Sequence, residues 1–209
     1  MSIKFSPFKI AHFLSDRYIR FVLQTLWRKQ GVVLGEKIVW LGKPILVLVP
    51  GSTISIGDRC LICSRSEQTV LGVNHPVILR TLCAGADLRI GAGVRMSGTT
   101  ICAAERVVIG DRCVIGANVT IVDTDFHALD PIARSSQEDA QRAAHKPVVV
   151  GDDVFICAGS IVLKGVRIGK GAVIGTGSVV TKSIPDMTVA AGNPARVVRS
   201  IEYAREILA

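Results

Sequence analysis

Between Val150 and Val180 an aliphatic side chain returns at every sixth position: Val150, Ile156, Val162, Ile168, Ile174 and Val180. A period of six is neither the 3.6 of a helix nor the signature of a single hairpin. It predicts a coiling chain in which each short strand stacks on an earlier copy of itself. Small residues follow most of these aliphatics (Gly151, Cys157, Gly169, Gly175), and small or branched ones stand four places on (Val154, Ser160, Val166, Ala172, Ser178). The pattern predicts a mainly β, triangular solenoid: one hexad per face, three per coil, aliphatics inward, small residues where the chain turns sharply.

The same rhythm is looser upstream. Ile54-Ser-Ile56-Gly57-Asp58 and Leu88-Arg-Ile90-Gly91-Ala92 open coils, and Ile90, Met96 and Cys102 are six apart. One extra residue at Glu105-Arg106 then predicts a corner bulge, after which Ile109, Ile115 and Ile121 resume the register. The pattern weakens between 64 and 81 around Asn74-His75-Pro76. It breaks for more than twenty residues after Ile121. Long polar loops in a compact solenoid are commonly functional, since the core does not need them.

Both ends read differently. From Pro7 to Gln30 the residues Phe8, Ala11, Phe13, Leu14, Tyr18, Phe21, Val22, Thr25 and Leu26 recur mainly at three- and four-residue steps, which predicts amphipathic helix closing near Gly31. Such a head covers the open end of a solenoid. After Val180, Pro185 and Pro194 stop the coiling, and a short helix over about 199–208 is expected. The predicted organisation is a basic helical head over 1–31, a solenoid over 32–185 with a loop extruded at 126–147, and a C-terminal turn and helix over 186–209.

Composition sharpens this picture. The 209 residues are 49% hydrophobic but only 5% aromatic, as layered aliphatic packing requires. Mean hydropathy is +0.43, yet no apolar run approaches the roughly 18 residues of a membrane span. Asp16, Arg17 and Arg20 interrupt what would be the apolar core of a signal peptide, so a cytoplasmic protein is expected. The net charge is +8, and residues 1–30 carry six cations against Asp16 alone. Basic residues interleaved with stacking aromatics are missing, which argues against a nucleic-acid partner. The head suits peripheral membrane contact or partner docking instead, alongside its capping role. Cys60-x-x-Cys63 has no second pair and no histidine at ligand spacing, and Cys102 takes a hexad position, so the cysteines read as core filler and no metal is expected.

Four segments carry a resemblance: Ile109-Gly-Asp-Arg-Cys-Val-Ile-Gly-Ala-Asn-Val-Thr, Thr124-Asp-Phe-His127, Gly177-Ser-Val-Val-Thr-Lys182, and Ala191-Gly-Asn-Pro-Ala-Arg196. In this order they resemble the hexapeptide-repeat acyltransferases, which include galactoside, maltose and serine acetyltransferases, and most of all the sugar O-acetyltransferases of surface-polysaccharide biosynthesis. The resemblance covers about 54–200. It implies a left-handed parallel β-helix, an exception to the usual right-handed crossover, acetyl-CoA as acyl donor, and a homotrimer with sites between subunits.

It also implies residue roles. His127 stands where the strict repeat gives way to the loop, on the solenoid's outer edge. A neutral imidazole is suited to take a hydroxyl proton in acyl transfer, because its unperturbed pKa is about 6.5. His12 lies in the head, His75 in an irregular turn, and His145 among polar loop residues. Asp123 and Asp125, at alternate positions before His127, are candidates to orient the imidazole or bind a sugar hydroxyl. The segment before His127 is one residue longer than in galactoside acetyltransferases, so their acceptor residues do not transfer. The donor-site positions are Ala158, Thr176, Thr181, Lys182, Arg196 and Arg199, the cations serving the phosphates of coenzyme A. Ala158, where relatives carry serine, would contribute backbone. The loop, with Arg134 and Arg142, reads as a lid over a charged cofactor. The expected activity is O-acetylation of a saccharide by direct attack; the alternatives are N-acylation of an amino sugar, and a scaffold that keeps the fold without catalysis. A zinc hydratase solenoid needs several converging histidines, and the coils offer only His127.

Overall fold

Inward aliphatics spaced for stacking build three parallel sheets in the computed structural model, which describes residues 17–137 and 139–202. The first face is formed by Val33–Leu34, Thr53–Ile56, Asp87–Ile90, Arg106–Ile109, Val148–Val150 and Arg167–Ile168. The second contains Val39–Leu41, Leu61–Cys63, Arg95–Ser97, Val114–Ala117, Phe155–Ile156, Val173–Ile174 and Thr188–Gly192. The third contains Ile45–Val47, Ile78–Thr81, Thr100–Ala103, Thr120–Val122, Ile161–Val162 and Val179–Val180. Successive strands of the chain visit the three faces in turn, so the whole is a parallel β-helix. The hexad residues Val150, Ile156, Val162, Ile168, Ile174 and Val180 are all at most 1% exposed.

The corner from first to second face explains the Ile-Gly-Asp motifs. Asp111 Oδ1 accepts the Ala92 N–H at 2.8 Å, and Asp152 Oδ1 accepts the Asp111 N–H at 2.9 Å. Each carboxylate thus caps the turn of the coil stacked beside it. A Cβ at Gly91 would lie 2.4 Å from Asp111 Oδ1, and one at Gly110 would lie 2.5 Å from Asp152 Oδ1, so only glycine fits under the cap.

Four expectations need correction. Cys102 does not point into the core: Ile101 does, in register with Leu79 and Ile121, while Cys102 pairs with Val122 and stands outside the central cluster. The coil is shortened at Ser97-Gly98-Thr99 and lengthened at the following corner, rather than lengthened once at Glu105-Arg106. Residues Ala195–Ser200 form a strand antiparallel to Thr188–Gly192, so Arg199 and Ser200 are not helical; the remainder of that expected helix, from 203, lies outside the described residues. The head packs through a different stripe. A π-helical turn (Ile19–Leu23) leads into α1 (Gln24–Lys29), and Ile19, Leu23 and Trp27 are the buried residues. Trp27 meets Trp40 of the first coil with ring centroids 5.3 Å apart. The head does cover the open end of the solenoid. Phe8, Ala11, Phe13 and Leu14 of the expected stripe, and His12 of the head, lie outside the described residues.

Candidate active site

The chain leaves the third face after Val122 and does not rejoin the solenoid until Val148. Asp123 holds the departure point. It is fully buried, and its carboxylate accepts the backbone N–H groups of Ala104, Glu105 and Arg106 at 2.7, 2.8 and 2.7 Å. Three N–H bonds occupy its oxygens, so the structure makes Asp123 a corner clamp rather than the acceptor contact expected. The loop base is closed by Lys146 N–H to Asp123 carbonyl at 2.8 Å and by His145 Nδ1 beside Glu105 Oε2 at 2.9 Å. Asp125 turns back instead and meets Lys164 Nζ at 2.5 Å; its Oδ2 is buried without a partner.

Phe126 takes a φ of +64°, a left-handed conformation that costs energy for a bulky residue and throws the next side chain outward. That side chain is His127, 68% exposed. Two short helices follow, α2 (Pro131–Arg134), N-capped by Asp130, and α3 (Asp139–Arg142). The second folds Asp139 back onto the turn. Asp139 Oδ2 lies 2.5 Å from His127 Nδ1, and its Oδ1 accepts the Ala128 N–H at 2.7 Å. The His127 hydrogen bond, joined by that of Ala128 and by the charge of Arg134, holds the Asp139 carboxyl below its usual range. An ionised Asp139 is an acceptor, so Nδ1 carries a proton, and in the neutral ring that leaves the lone pair on Nε2, facing solvent. Neither Asp123 nor Asp125 orients His127.

The carried-over donor residues divide between two edges. Thr181 and Lys182 are exposed at the corner from third to first face, the edge that also carries His127 and Lys164. Ala158 and Thr176 occupy the corner from second to third face, stacked in adjacent coils; the Gly177 N–H donates to the Ala158 carbonyl at 2.9 Å. This edge is lined by small residues, and a Cβ added at Gly159 or Gly177 would meet open space. Arg196 and Arg199 stand exposed on the terminal hairpin. Within one chain the third face lies between His127 and the Ala158–Thr176 edge. Arg134 serves the loop itself, donating to the Ala128 and Leu129 carbonyls, each at 3.3 Å.

Sequence reasoning missed Asp139 and Lys164. Asp139 is twelve residues from its partner in a polar run without periodicity, and only the two helical turns bring it back. Lys164 is visible as a cation one coil beyond Asp125, but the register across the loop was needed to pair them. Elsewhere, burial pushes the thiols of Cys60 and Cys102 up and that of Cys113 to about 11, so all three remain neutral. Among the described residues no three His, Cys, Asp or Glu side chains converge as a metal site.

The hexad solenoid places the chain in the class of hexapeptide-repeat transferases. Residues 147–182 match the family described as "Bacterial transferase hexapeptide (six repeats)", and residues 106–122 match "Hexapeptide repeat of succinyl-transferase". The galactoside O-acetyltransferase of Lactococcus lactis subsp. lactis is 42% identical over 185 residues, spanning 85% of this chain and 81% of the relative. Among solved structures, a maltose O-acetyltransferase from Clostridium difficile 630 superimposes with a TM-score of 0.52 at 27% identity, over 93% of this chain and 84% of the other. The N-acyltransferase AntD of Bacillus cereus, in complex with dTDP and 3-hydroxybutyryl-CoA, shares the fold with a TM-score of 0.63 at 19% identity, over 86% and 88% of the two chains. The chain belongs to the hexapeptide-repeat acetyltransferase family: it is an acyltransferase built on a left-handed parallel β-helix.

Proposed function

We propose that the protein is an acetyl-CoA-dependent O-acetyltransferase that esterifies a hydroxyl of a saccharide, either a polysaccharide unit or a lipid- or nucleotide-linked precursor. One observation carries the reading: the His127–Asp139 pair stands on the open edge with Nε2 unpaired. His127 takes the acceptor hydroxyl proton as the oxygen attacks the thioester carbonyl, and returns it to the departing thiolate. Asp139 fixes the ring and balances the imidazolium formed between the two transfers. Backbone N–H groups of the small-residue edge would stabilise the oxyanion. Direct transfer of this kind needs no covalent enzyme intermediate and no metal. Thr181, Lys182, Arg196 and Arg199 would bind the donor, with Ala158 and Thr176 flanking its pantetheine arm.

The two edges become one site in a homotrimer. Outward residues of the first face are mixed: Thr53, Asp87 and Arg106 share one row, with Asp87 paired to Arg89 at 2.7 Å, and Val33, Ser55, Arg89, Val108, Val149 and Arg167 share the next. The other faces present apolar rows. Val39, Leu61, Arg95, Val114, Phe155, Val173 and Val189 run in register along the second, broken only by Arg95. Ile45, Ile78, Thr100, Thr120, Ile161 and Val179 run along the third. Two apolar faces meeting at the Ala158–Thr176 edge suit packing of prisms about a threefold axis, the small-residue edge of one chain then facing His127 of the next. Leu129 and Ile132 on the loop, 77% and 81% exposed, fit contact with a neighbouring subunit as well as a lid.

The direct test is release of free thiol from acetyl-CoA by the purified chain, with galactosides and amino sugars offered in parallel. Acceptor-dependent thiol release with hydroxyl acceptors is expected. Release only with amines would shift the assignment to N-acylation. No release, together with a melting temperature that ignores coenzyme A, would leave a scaffold.

A further inference from the structure

The head helix has two apolar faces, and the solenoid uses only one. Ile19, Leu23 and Trp27 seal the first coil. The residues between them, Tyr18, Phe21, Val22 and Leu26, are 52%, 61%, 41% and 46% exposed. Thr25 lies among them, and its hydroxyl donates to the Phe21 carbonyl at 2.8 Å, so this polar group is satisfied within the helix. The Thr25 hydroxyl therefore carries no unpaired cost if the strip leaves water, and the Tyr18 hydroxyl can stay at headgroup level while its ring enters the apolar side.

Cations frame the strip. The Arg17 guanidinium lies 5.6 Å from the centre of the Phe21 ring. Arg28 and Lys29 are exposed at the helix's end, and Lys37 and Lys43 are exposed on the first coil beneath it, against the single Glu36. Aromatic and aliphatic side chains ringed by long basic ones match the boundary between acyl chains and headgroups: rings enter the apolar side, and cations reach phosphates. No helix among the described residues is long and apolar enough to cross a membrane, so the strip would lie on the surface.

We propose that the outer face of residues 17–29 is a docking surface for an anionic phospholipid bilayer. Buried apolar area and charge attraction act together there, and either alone gives weak, reversible binding. The orientation has a consequence for the site. The helix covers the end of the solenoid, and coils stack away from it at about 4.8 Å each. His127 leaves between the fourth and fifth coils, so docking holds it roughly 15–20 Å from the head. An acceptor carried on a lipid would be presented at that height, well clear of the headgroups.

Vesicle flotation with the full chain tests the proposal, using phosphatidylcholine alone and phosphatidylcholine mixed with phosphatidylglycerol. At least roughly tenfold preference for the anionic vesicles is expected, falling as salt is raised. Phe21→Ser with Val22→Ser, and separately Lys29→Glu with Lys43→Glu, should each reduce binding about tenfold, with the melting temperature unchanged. Equal binding to both vesicles would overturn the proposal, as would two variants that float like the parent. A fall in oligomer mass for the Phe21→Ser, Val22→Ser variant, without a change in flotation, would assign the strip to a second copy of the chain and overturn it too.

Discussion

His127 gains its chemistry from one neighbour. Nδ1 would otherwise share its proton with solvent, and either nitrogen could carry it; Asp139 at 2.5 Å fixes the proton on Nδ1. The sign of the linkage is set by the depressed Asp139 pKa. The carboxylate contributes to holding the loop above the usual carboxylate range, and that contribution is lost as pH falls through its lowered value. Asp139 is half-buried and its partner His127 is exposed to solvent, so this is a positioning effect more than a large stabilisation. Asp139→Asn is expected to lower kcat roughly ten- to a thousandfold with the donor KM little changed, because the imidazolium loses its counter-charge. Equal kcat in the two proteins would remove Asp139 from the mechanism. The place of His127 on the exposed edge was legible in the sequence, since a motif and a break in period coincide there. Its partner was not, because a contact closed by two four-residue helices leaves no periodic trace.

At the scale of elements, the repeat was legible wherever inward stacking dictated residue type, as in the six unbroken hexads from Val150. It failed where two departures compensate. The chain loses a residue near Gly98 and regains two before Arg106, so counting by sixes reached Cys102 while the structure turns Ile101 inward. The head failed for a related reason: both sides of the helix are apolar, and spacing alone could not choose between Ile19–Leu23–Trp27 and the strip beside it. At the far end, strand pairing with Thr188–Gly192 overrides the helical propensity of Arg199 and its neighbours. The loop is anchored by Asp123, and its role predicts a stability defect. Asp123→Ala would strip three backbone donors of their acceptor, costing about 3 kcal/mol or more and lowering the melting temperature by roughly 10 °C. A melting temperature equal to that of the parent chain would contradict the clamp.

The whole molecule is a prism whose first face mixes charges with valines while the other two present apolar rows almost without charge, and its surface chemistry argues for assembly. Phe155 and Ile161 are 41% and 37% exposed in the single chain, on rows that contain few charges to keep them solvated. Packing those rows together would bury them and join the two halves of the site. Light scattering should report about three times the 22.3 kDa of one chain. Ile161→Glu, placing an unpaired charge in the middle of the third face, should shift the mass toward a single chain and abolish transfer without unfolding it. A fully active protein of one-chain mass would refute the shared site, although the fold and family would stand.

Acetyl transfer by the His127→Ala protein tests the central claim most directly. With acetyl-CoA and a saccharide acceptor at neutral pH, its turnover should fall roughly 10²–10⁴-fold, the usual contribution of a general base. Its dissociation constant for coenzyme A should stay within about twofold of the parent, since the imidazole acts on the acceptor proton rather than on the donor. Turnover equal to that of the parent chain would contradict the account.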